Sequence, residues 1–407
     1  MQRIHLVGAR GAGMQALAAV LAGRGCRLTG SDLLEGTIPS PGGGSVPIAC
    51  GHHAEHLPTD ADLLVYSDAV TEANPELRRA VELGIPCRSY FQTVGQLTGA
   101  MQCLAVAGTH GKSSTVAMAS QVFTHAGRDP LVFCGAARLG AASAGRFGQG
   151  PIALVEACEF RANFLHLQPQ QAAVLGIDHD HFDCYPQKQD LLDAFTRFVQ
   201  TIPPQGLLIA RADCADTQRV AARAACRVET FARTGNADWL AGRLTHRDGC
   251  YAFELVYRGR PACEIRLQVP GAHNVRNALA AAALAHANGI APECIGTALS
   301  QFAGLSRRLE RLGTYGDIAI IDDYAHHPTE ITAALQTIRQ MHPGRRLWCV
   351  YQAHQALRLT RLLAETADSL QAADAVVVAD VFRAREGAPI PGEADAAQLA
   401  VELQRRG

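Results

Sequence analysis

The sequence has no run of roughly 18 consecutive apolar residues, the length that signals a membrane-spanning helix, although 48% of its 407 residues are hydrophobic. It also has no excess of one charge, because 37 Lys and Arg residues balance 38 Asp and Glu residues. A chain with this balance lacks the basic surface that nucleic acids and anionic membranes attract. We therefore expect neither nucleic acid nor a membrane among its partners.

The sequence also lacks any C-x-x-C pair, and its 13 cysteines are odd in number and scattered along the chain. This pattern is typical of reduced thiols and argues against a disulfide framework. The chain opens on a strand-like run, Arg3-Ile-His-Leu-Val7, where a secreted protein would carry a signal peptide. Together these features predict a cytoplasmic protein.

Strand-like runs alternate with Ala- and Leu-rich helical segments, which is typical of parallel α/β sheets. A chain of this length holds two or three domains. The sequence predicts an α/β protein of three consecutive domains with mainly parallel sheets, at residues 1–100, 101–304 and 305–407. In the last domain we predict three strands, a shortened sheet, at 318–321, 347–351 and 375–379. A segment rich in Pro and Gly at 36–44 predicts a loop.

A strand-like run at 103–107 leads directly into Gly108-Thr-His-Gly-Lys-Ser-Ser-Thr115. Glycines let the backbone approach an anion, and the free N–H groups of the first helical turn point at it. In such a loop Lys112 reaches the β- and γ-phosphates and the Ser113 hydroxyl ligates Mg²⁺. The loop is a shortened relative of the common P-loop, because Val106 stands where that pattern has its first glycine. The alternative is an ordinary strand–helix turn with a surface lysine.

Three glycines, Gly8, Gly11 and Gly13, follow the first strand, and Asp32 ends the next one. This arrangement resembles a dinucleotide fingerprint. The spacing is G-x-x-G-x-G, however, and a nucleoside diphosphate satisfies the same geometry. Glycines that only permit tight helix–strand packing are the alternative.

Two clusters of acidic and histidine residues also follow predicted strands: Glu156-Ala-Cys-Glu159 and Asp178-His-Asp-His-Phe-Asp183. Ligands bind at the carboxyl ends of strands in open α/β sheets. Carboxylates and an imidazole near the phosphate loop would supply ligands for one or two Mg²⁺ ions. The alternative is that both clusters are solvated loops.

Five ordered motifs together resemble those of the Mur ligase family, and the resemblance covers nearly the whole chain. The motifs lie at residues 108–113, 156–169, 271–280, 304–308 and 322–330. The resemblance implies a Rossmann-like UDP domain, a P-loop-type ATPase domain and a shortened Rossmann-like C-terminal domain. It implies ATP and Mg²⁺ as cofactors. It also implies an amide ligase of peptidoglycan precursor synthesis, which joins L-alanine or a related amino acid to the carboxylate of UDP-N-acetylmuramate through an acyl phosphate.

The resemblance also implies roles for individual residues. The implied catalytic residues are Lys112, His181, Arg308 and Asp323. The implied ATP-binding residues are Gly108, Thr109, His110, Gly111, Lys112, Ser113, Ser114, Asn274, Asn277, Arg308 and Asp323. The implied contacts to the UDP-substrate are Gly8, Gly11, Gly13, Met14, Ser31, Asp32 and Ser67. The implied amino-acid contacts are His354 and Arg358. The implied metal ligands are Ser113, Glu156 and His181.

Two departures from the family pattern leave alternatives open. Gln355 stands where the family has an arginine, and Gly176 where it has an asparagine. The alternatives are a diverged non-catalytic or regulatory nucleotide-binding paralogue and a tripeptide-recycling or folylpolyglutamate-type ligase. We expect a monomer or weak homodimer whose domains lie apart until ligands draw them together.

Overall fold

A computed structural model describes residues 1–40, 43–141, 143–384 and 386–406. The first unit contains β1 (Arg3–Val7), α1 (Ala12–Gly23), β2 (Arg27–Asp32), β3 (Thr37–Pro39), β4 (Ser45–Pro47), β5 (Ala49–Cys50), β6 (Leu63–Tyr66), α2 (Pro75–Leu83), β7 (Cys87–Ser89) and α3 (Tyr90–Thr98). Its parallel sheet has the strand order β5-β2-β1-β6-β7.

The predicted loop at 36–44 is partly wrong, because β3 and β4 form an antiparallel hairpin there. Ile38 on β3 is fully buried against the core, which gives this short strand a packing partner. Pro41 and Gly42 of the predicted loop lie outside the described residues.

The central unit is built on one nine-stranded sheet with the order β16-β15-β14-β13-β12-β11-β8-β10-β9. Its elements are β8 (Gln102–Ala107), α4 (Lys112–His125), β9 (Leu131–Phe133), β10 (Ile152–Glu156), β11 (Gln171–Val174), α5 (Lys188–Gln200), β12 (Leu207–Arg211), α6 (Ala215–Ala221), β13 (Arg227–Ala232), β14 (Trp239–Arg247), β15 (Cys250–Tyr257), β16 (Arg260–Pro270), α7 (Ala272–Ala287) and α8 (Pro292–Ser300).

The strands from β9 to β14 are parallel, and β15 and β16 extend the sheet in antiparallel fashion. The strand β8 lies inside this sheet, and its residues from Cys103 to Ala107 are fully buried. An unbroken apolar run suits a strand that is covered on both faces. Because β8, β10, β11 and β12 are parallel, their carboxyl ends share one edge of the sheet, and the residues that follow them meet there.

The last unit contains β17 (Glu310–Tyr315), β18 (Ile318–Asp322), α9 (Pro328–Met341), β19 (Trp348–His354), α10 (Ala356–Arg361), α11 (Leu363–Leu370), β20 (Ala375–Phe382) and α12 (Ala396–Arg406). The three predicted strands form, but they do not make one sheet. The strand β18 pairs with β17 in an antiparallel hairpin, whereas β19 and β20 pair in parallel. Within the described ranges, no helix combines the length and apolar character needed to cross a bilayer.

Candidate active site

The loop between β8 and α4 has the geometry of a phosphate cradle. Gly111 adopts a φ of +82°, and a Cβ there would overlap the Asn277 Oδ1 atom, so this position requires glycine. The loop is tied to the end of β11, because the Thr109 N–H donates to the Gly176 carbonyl over 2.9 Å. The Thr109 hydroxyl also donates to the Asp178 carbonyl over 3.0 Å. The helix α4 then begins at Lys112 and directs its free N–H groups towards the loop.

The Lys112 side chain is 12% exposed and well hydrogen-bonded. Its Nζ donates to the Gly108 carbonyl over 2.6 Å and to both Glu159 carboxylate oxygens over 2.9 and 3.1 Å. Burial disfavours the charged ammonium, but the Glu159 carboxylate outweighs this effect and raises the pKa of Lys112 above its usual value. The lysine therefore remains a cation at the edge of the phosphate loop.

Glu159 was expected only as one carboxylate of the acidic cluster at 156–159, and the sequence did not predict its contact with Lys112. The side chain of Glu159 is 1% exposed and lies between Lys112 and His181, whose Nε2 atom is 3.7 Å from a Glu159 oxygen. A second carboxylate three residues after Glu156 was the available signal. Its partners could not be read from the sequence, because Glu159 follows β10 whereas Lys112 follows β8.

The three predicted metal ligands lie around the same edge of the sheet, but no described hydrogen bond joins them. Glu156 ends β10 beside β8, and one of its carboxylate oxygens accepts from the Gly135 N–H over 2.6 Å. Burial lowers the pKa of His181, so its imidazole is neutral, and its buried Nδ1 atom lacks a hydrogen-bond partner within the described ranges. A neutral imidazole is the form that binds metals.

A different trio, His110, Asp178 and His327, places its potential ligand atoms within 4.8 Å of one another. Both nitrogens of His110 already face carboxylates, at 2.8 Å from Asp178 and 2.9 Å from Glu330. Burial opposes the charge, yet these two carboxylates raise the pKa of His110 to about 9. An imidazolium donates from both nitrogens and has no lone pair for a metal. His110 therefore forms a hydrogen-bonded ion cluster with Asp178 and Glu330, and His327 packs against the His110 ring, with 4.9 Å between ring centres.

A cavity beside the phosphate loop gathers eight of the eleven predicted ATP-binding residues. These are His110, Gly111, Ser113, Ser114, Asn274, Asn277, Arg308 and Asp323. Five further polar residues line it that were not predicted as site residues: Arg211, His273, Arg276, Thr329 and Glu330. Four of these five lie inside the five ordered motifs. Arg211 had no motif signal beyond its place at the end of a parallel strand.

Asp323 lines this cavity as a half-buried structural acceptor. Its two carboxylate oxygens accept from the Leu309 and Ala325 N–H groups, each over 2.7 Å. Burial nevertheless raises the pKa of this carboxyl group. The contacts fix the linker that carries Arg308 into the cavity, and the Arg308 guanidinium lies 5.6 Å from the centre of the Tyr324 ring.

The C-terminal unit is docked on the central unit. One contact is the His110–Glu330 bridge, and a second is a bidentate ion pair in which Arg358 donates to Asp180 over 2.7 and 3.2 Å. Both partners of that pair are at most 6% exposed. The Arg358 guanidinium also donates to the His354 carbonyl over 2.7 Å. Opposite charges on the two units thus contribute to holding them together.

The predicted contacts to the UDP-substrate collect at the carboxyl edge of the first sheet, with two corrections. Gly8 and Gly11 lie in the β1–α1 turn, and Gly13 lies in the first turn of α1. Asp32 accepts from the Arg10 N–H over 2.8 Å, and the Ser67 N–H donates to the Val7 carbonyl over 3.0 Å. The side chains of Met14 and Ser31, however, are buried.

The Ser31 side chain is buried because it belongs to a polar network in the core. The Ser31 hydroxyl donates to a Glu76 carboxylate oxygen over 2.7 Å. Glu76 is itself fully buried and also bonds His5 and His52 over 2.6 and 2.9 Å. The Ser31 side chain is thus committed to the interior, and only main-chain atoms of Ser31 and Met14 remain for a ligand.

Comparison with known families matches three models along the chain. They are the Mur ligase family catalytic domain at residues 3–101, the Mur ligase middle domain at 106–285 and the Mur ligase glutamate ligase domain at 307–407. A UDP-N-acetylmuramate–L-alanine ligase from Solidesulfovibrio magneticus is 38% identical over 394 residues, which cover 96% of this chain and 85% of the relative. The chain belongs to the Mur ligase family.

Other relatives agree with this assignment. A UDP-N-acetylmuramate–L-alanine ligase from Salinibacter ruber is 38% identical over 96% of this chain and 82% of its own length. The crystal structure of a UDP-N-acetylmuramate–alanine ligase from Thermotoga maritima superposes with a TM-score of 0.82 at 26% identity, covering 100% of this chain and 89% of that one. A murein peptide ligase from Psychrobacter arcticus shares the fold, with a TM-score of 0.75 at 24% identity, and the match covers 100% of this chain and 88% of that one. As a Mur ligase, the chain is an ATP-dependent ligase with the three-domain α/β architecture.

Proposed function

We propose that this Mur ligase joins L-alanine, or a related amino acid, to the carboxylate of UDP-N-acetylmuramate in peptidoglycan precursor synthesis. The relatives described above carry that activity in their names. The observation that carries the proposal is the phosphate loop with a charged, hydrogen-bonded Lys112 beside a cavity lined by most of the predicted ATP-binding residues.

The reaction that suits this site has two steps. The muramate carboxylate attacks the γ-phosphate of ATP to give an acyl phosphate and ADP, and the amine of the amino acid then displaces inorganic phosphate to form the amide. Two anions meet in the first step, so neutralising their charge is the main catalytic demand. Lys112, held as a cation by Glu159, meets this demand, and Arg308 adds a second cation from the C-terminal unit.

Ser113, Glu156 and His181 would hold Mg²⁺. The oxygen donors suit a divalent cation, and so does the neutral imidazole of His181, whose Nδ1 atom has no hydrogen-bond partner among the described residues. When bound, Mg²⁺ would neutralise charge on the phosphates of ATP. The residues of this chain align the triphosphate on the loop and exclude water through the docked C-terminal unit.

The remaining substrates are assigned by the same reasoning. The glycine turn of the first sheet with Asp32 and Ser67 would receive the UDP moiety. His354 and Arg358 would bind the carboxylate of the amino acid. To do so, that carboxylate would replace Asp180 as the hydrogen-bond acceptor of the Arg358 guanidinium. We also propose domain boundaries at 1–100, 101–304 and 305–407, supported by the separate sheets, and a monomeric or weakly dimeric cytoplasmic enzyme.

The test is phosphate release from ATP in the presence of UDP-N-acetylmuramate, screened across amino acids. We expect L-alanine to stimulate release in the wild type and not in Lys112→Ala. Lys188→Ala is the matched control, because Lys188 is the only other lysine in the sequence and is half exposed in a pair with Asp216. If ATP binds but no amino acid stimulates release, the ligase proposal fails and a non-catalytic paralogue is favoured.

A further inference from the structure

Two arginines at the far side of the ATP cavity have no role in the reaction described above. Arg211 ends β12, and Arg276 lies on α7. Both line the cavity together with the first turn of α4, and each side chain is about a quarter exposed, at 26% and 27%. They are therefore accessible to whatever occupies the cavity.

A single carboxylate holds the two guanidinium groups together. Asp213 accepts from Arg211 Nε over 2.5 Å and from Arg276 Nη2 over 3.1 Å. The buried Arg276 Nε atom has no hydrogen-bond partner in the part of the chain that the structure describes. Burial and the nearby Arg211 cation both lower the pKa of Arg276. Two guanidinium cations thus share one carboxylate, so the pair carries a net positive charge.

The backbone makes room for this arrangement at Gly176. Its φ is +152°, and a Cβ at this position would lie 3.0 Å from the Arg211 Nη1 atom. A side chain at 176 would therefore lie in close contact with the guanidinium and would displace it slightly. The same residue also accepts the Thr109 N–H, so the arginine lies directly beside the support of the phosphate loop.

The position of the pair separates it from the triphosphate. The order β12-β11-β8 places Arg211 two strands away from the strand that carries the phosphate loop, a distance of roughly 10 Å. Ser113 and Ser114 line the loop side of the cavity, whereas Lys112 does not line it. A nucleotide with its phosphates on the loop would therefore place its nucleoside towards the arginines.

We propose that Arg211 and Arg276, paired through Asp213, form the base-binding wall of the ATP site. This inference rests on the proposed function. A guanidinium is planar and carries only donors, so it stacks on a purine ring and donates to the acceptor nitrogens of that ring. The pair then sets the affinity for the nucleoside, while the phosphate loop sets the affinity for the phosphates.

The test compares the binding of ATP and of inorganic tripolyphosphate by calorimetry. In Arg211→Ala and Arg276→Ala, ATP affinity should fall about 10- to 100-fold, the loss typical of a charge-assisted contact, with tripolyphosphate affinity unchanged. Arg211→Lys should not restore ATP affinity, because an ammonium lacks the planar face. Arg227→Ala is the matched control, since Arg227 is 61% exposed at the start of the neighbouring strand β13. Thermal unfolding checks that each variant is folded.

Three results would overturn the inference. If the variants bind ATP as the wild type does, the arginines do not contact the nucleotide. If tripolyphosphate affinity falls in parallel with ATP affinity, the arginines contact phosphates and the base assignment is wrong. If the wild type binds neither ligand, the proposed function fails with it, and this result differs from failure of the inference alone.

Discussion

The His110 bridge predicts a measurable pH dependence in how the C-terminal unit docks. Glu330 on α9 and Asp178 after β11 hold the imidazolium between two domains. Raising the pKa of His110 from 6.5 to about 9 corresponds to about 3.5 kcal/mol at roughly 1.4 kcal/mol per pH unit. Because the pKa of His110 is higher in the folded state than in the unfolded state, folding stability decreases as the pH rises. This stabilisation is complete below pH 6.5, decreases as the pH rises, and is absent above about pH 9.

The direct assay is a titration of the His110 imidazole by NMR, with its resonance assigned from the spectrum of His110→Gln. We expect a midpoint near pH 9 in the wild type. In Glu330→Gln the midpoint should fall by at least about 1 pH unit, because one of two adjacent anions is removed. The same variant should lose less thermal stability than the wild type between pH 6.5 and pH 9.

Glu365→Gln is the control, since Glu365 is exposed on α11 of the same unit. A His110 midpoint near 6.5 in the wild type would refute the reasoning, as would one that does not move in Glu330→Gln. Either result would mean that the carboxylates do not hold the imidazole as a cation, and that the docking depends on other contacts.

Three further variants test the site. Lys112→Ala should lower the rate of ATP turnover by about 100-fold or more, and retention of a tenth of the activity would remove the lysine from its catalytic role. Glu156→Ala should weaken turnover at low Mg²⁺ and recover partly at high Mg²⁺, whereas loss that no Mg²⁺ concentration reverses would contradict a role in metal affinity. Asp180→Ala leaves Arg358 buried and unpaired, so the unfolding free energy measured in urea should fall by about 3–5 kcal/mol. A change of less than about 1 kcal/mol, the value of an exposed pair, would contradict the burial of this contact.

The elements that position the phosphate loop are set by local sequence. The apolar run at 103–107 forms β8, Gly111 takes the positive φ that its turn requires, and α4 begins at Lys112. Each feature depends on residues within a few positions along the chain, through backbone conformation and hydrogen bonds of short range. The ordered motifs also indicate the Mur ligase family on their own, because their order and spacing are properties of the chain itself.

The sequence did not predict which strands pair with each other or which side chains face solvent. The strands β14 to β16 were not predicted, and β18 was expected in one sheet with β19 although it pairs with β17. Ser31 was expected to face a ligand, yet its hydroxyl points into the core towards Glu76. The end of a predicted strand indicates which residues lie at the edge of a sheet, but not the direction in which each side chain points. A strand-like run also does not indicate which other strand it pairs with.

The partners of the site residues were decided by the tertiary structure alone. Glu159 reaches Lys112 across 47 positions of the chain, Arg358 reaches Asp180 across 178, and Glu330 reaches His110 across 220. Arg211 enters the cavity because of strand order and because Gly176 leaves it space. The sequence by itself determined the conformation of the phosphate-loop motif and the family of the chain. The charges around that loop were determined by which strand ends meet at one edge and how the last unit docks on it, since electrostatic interactions depend on distance in space and not along the chain.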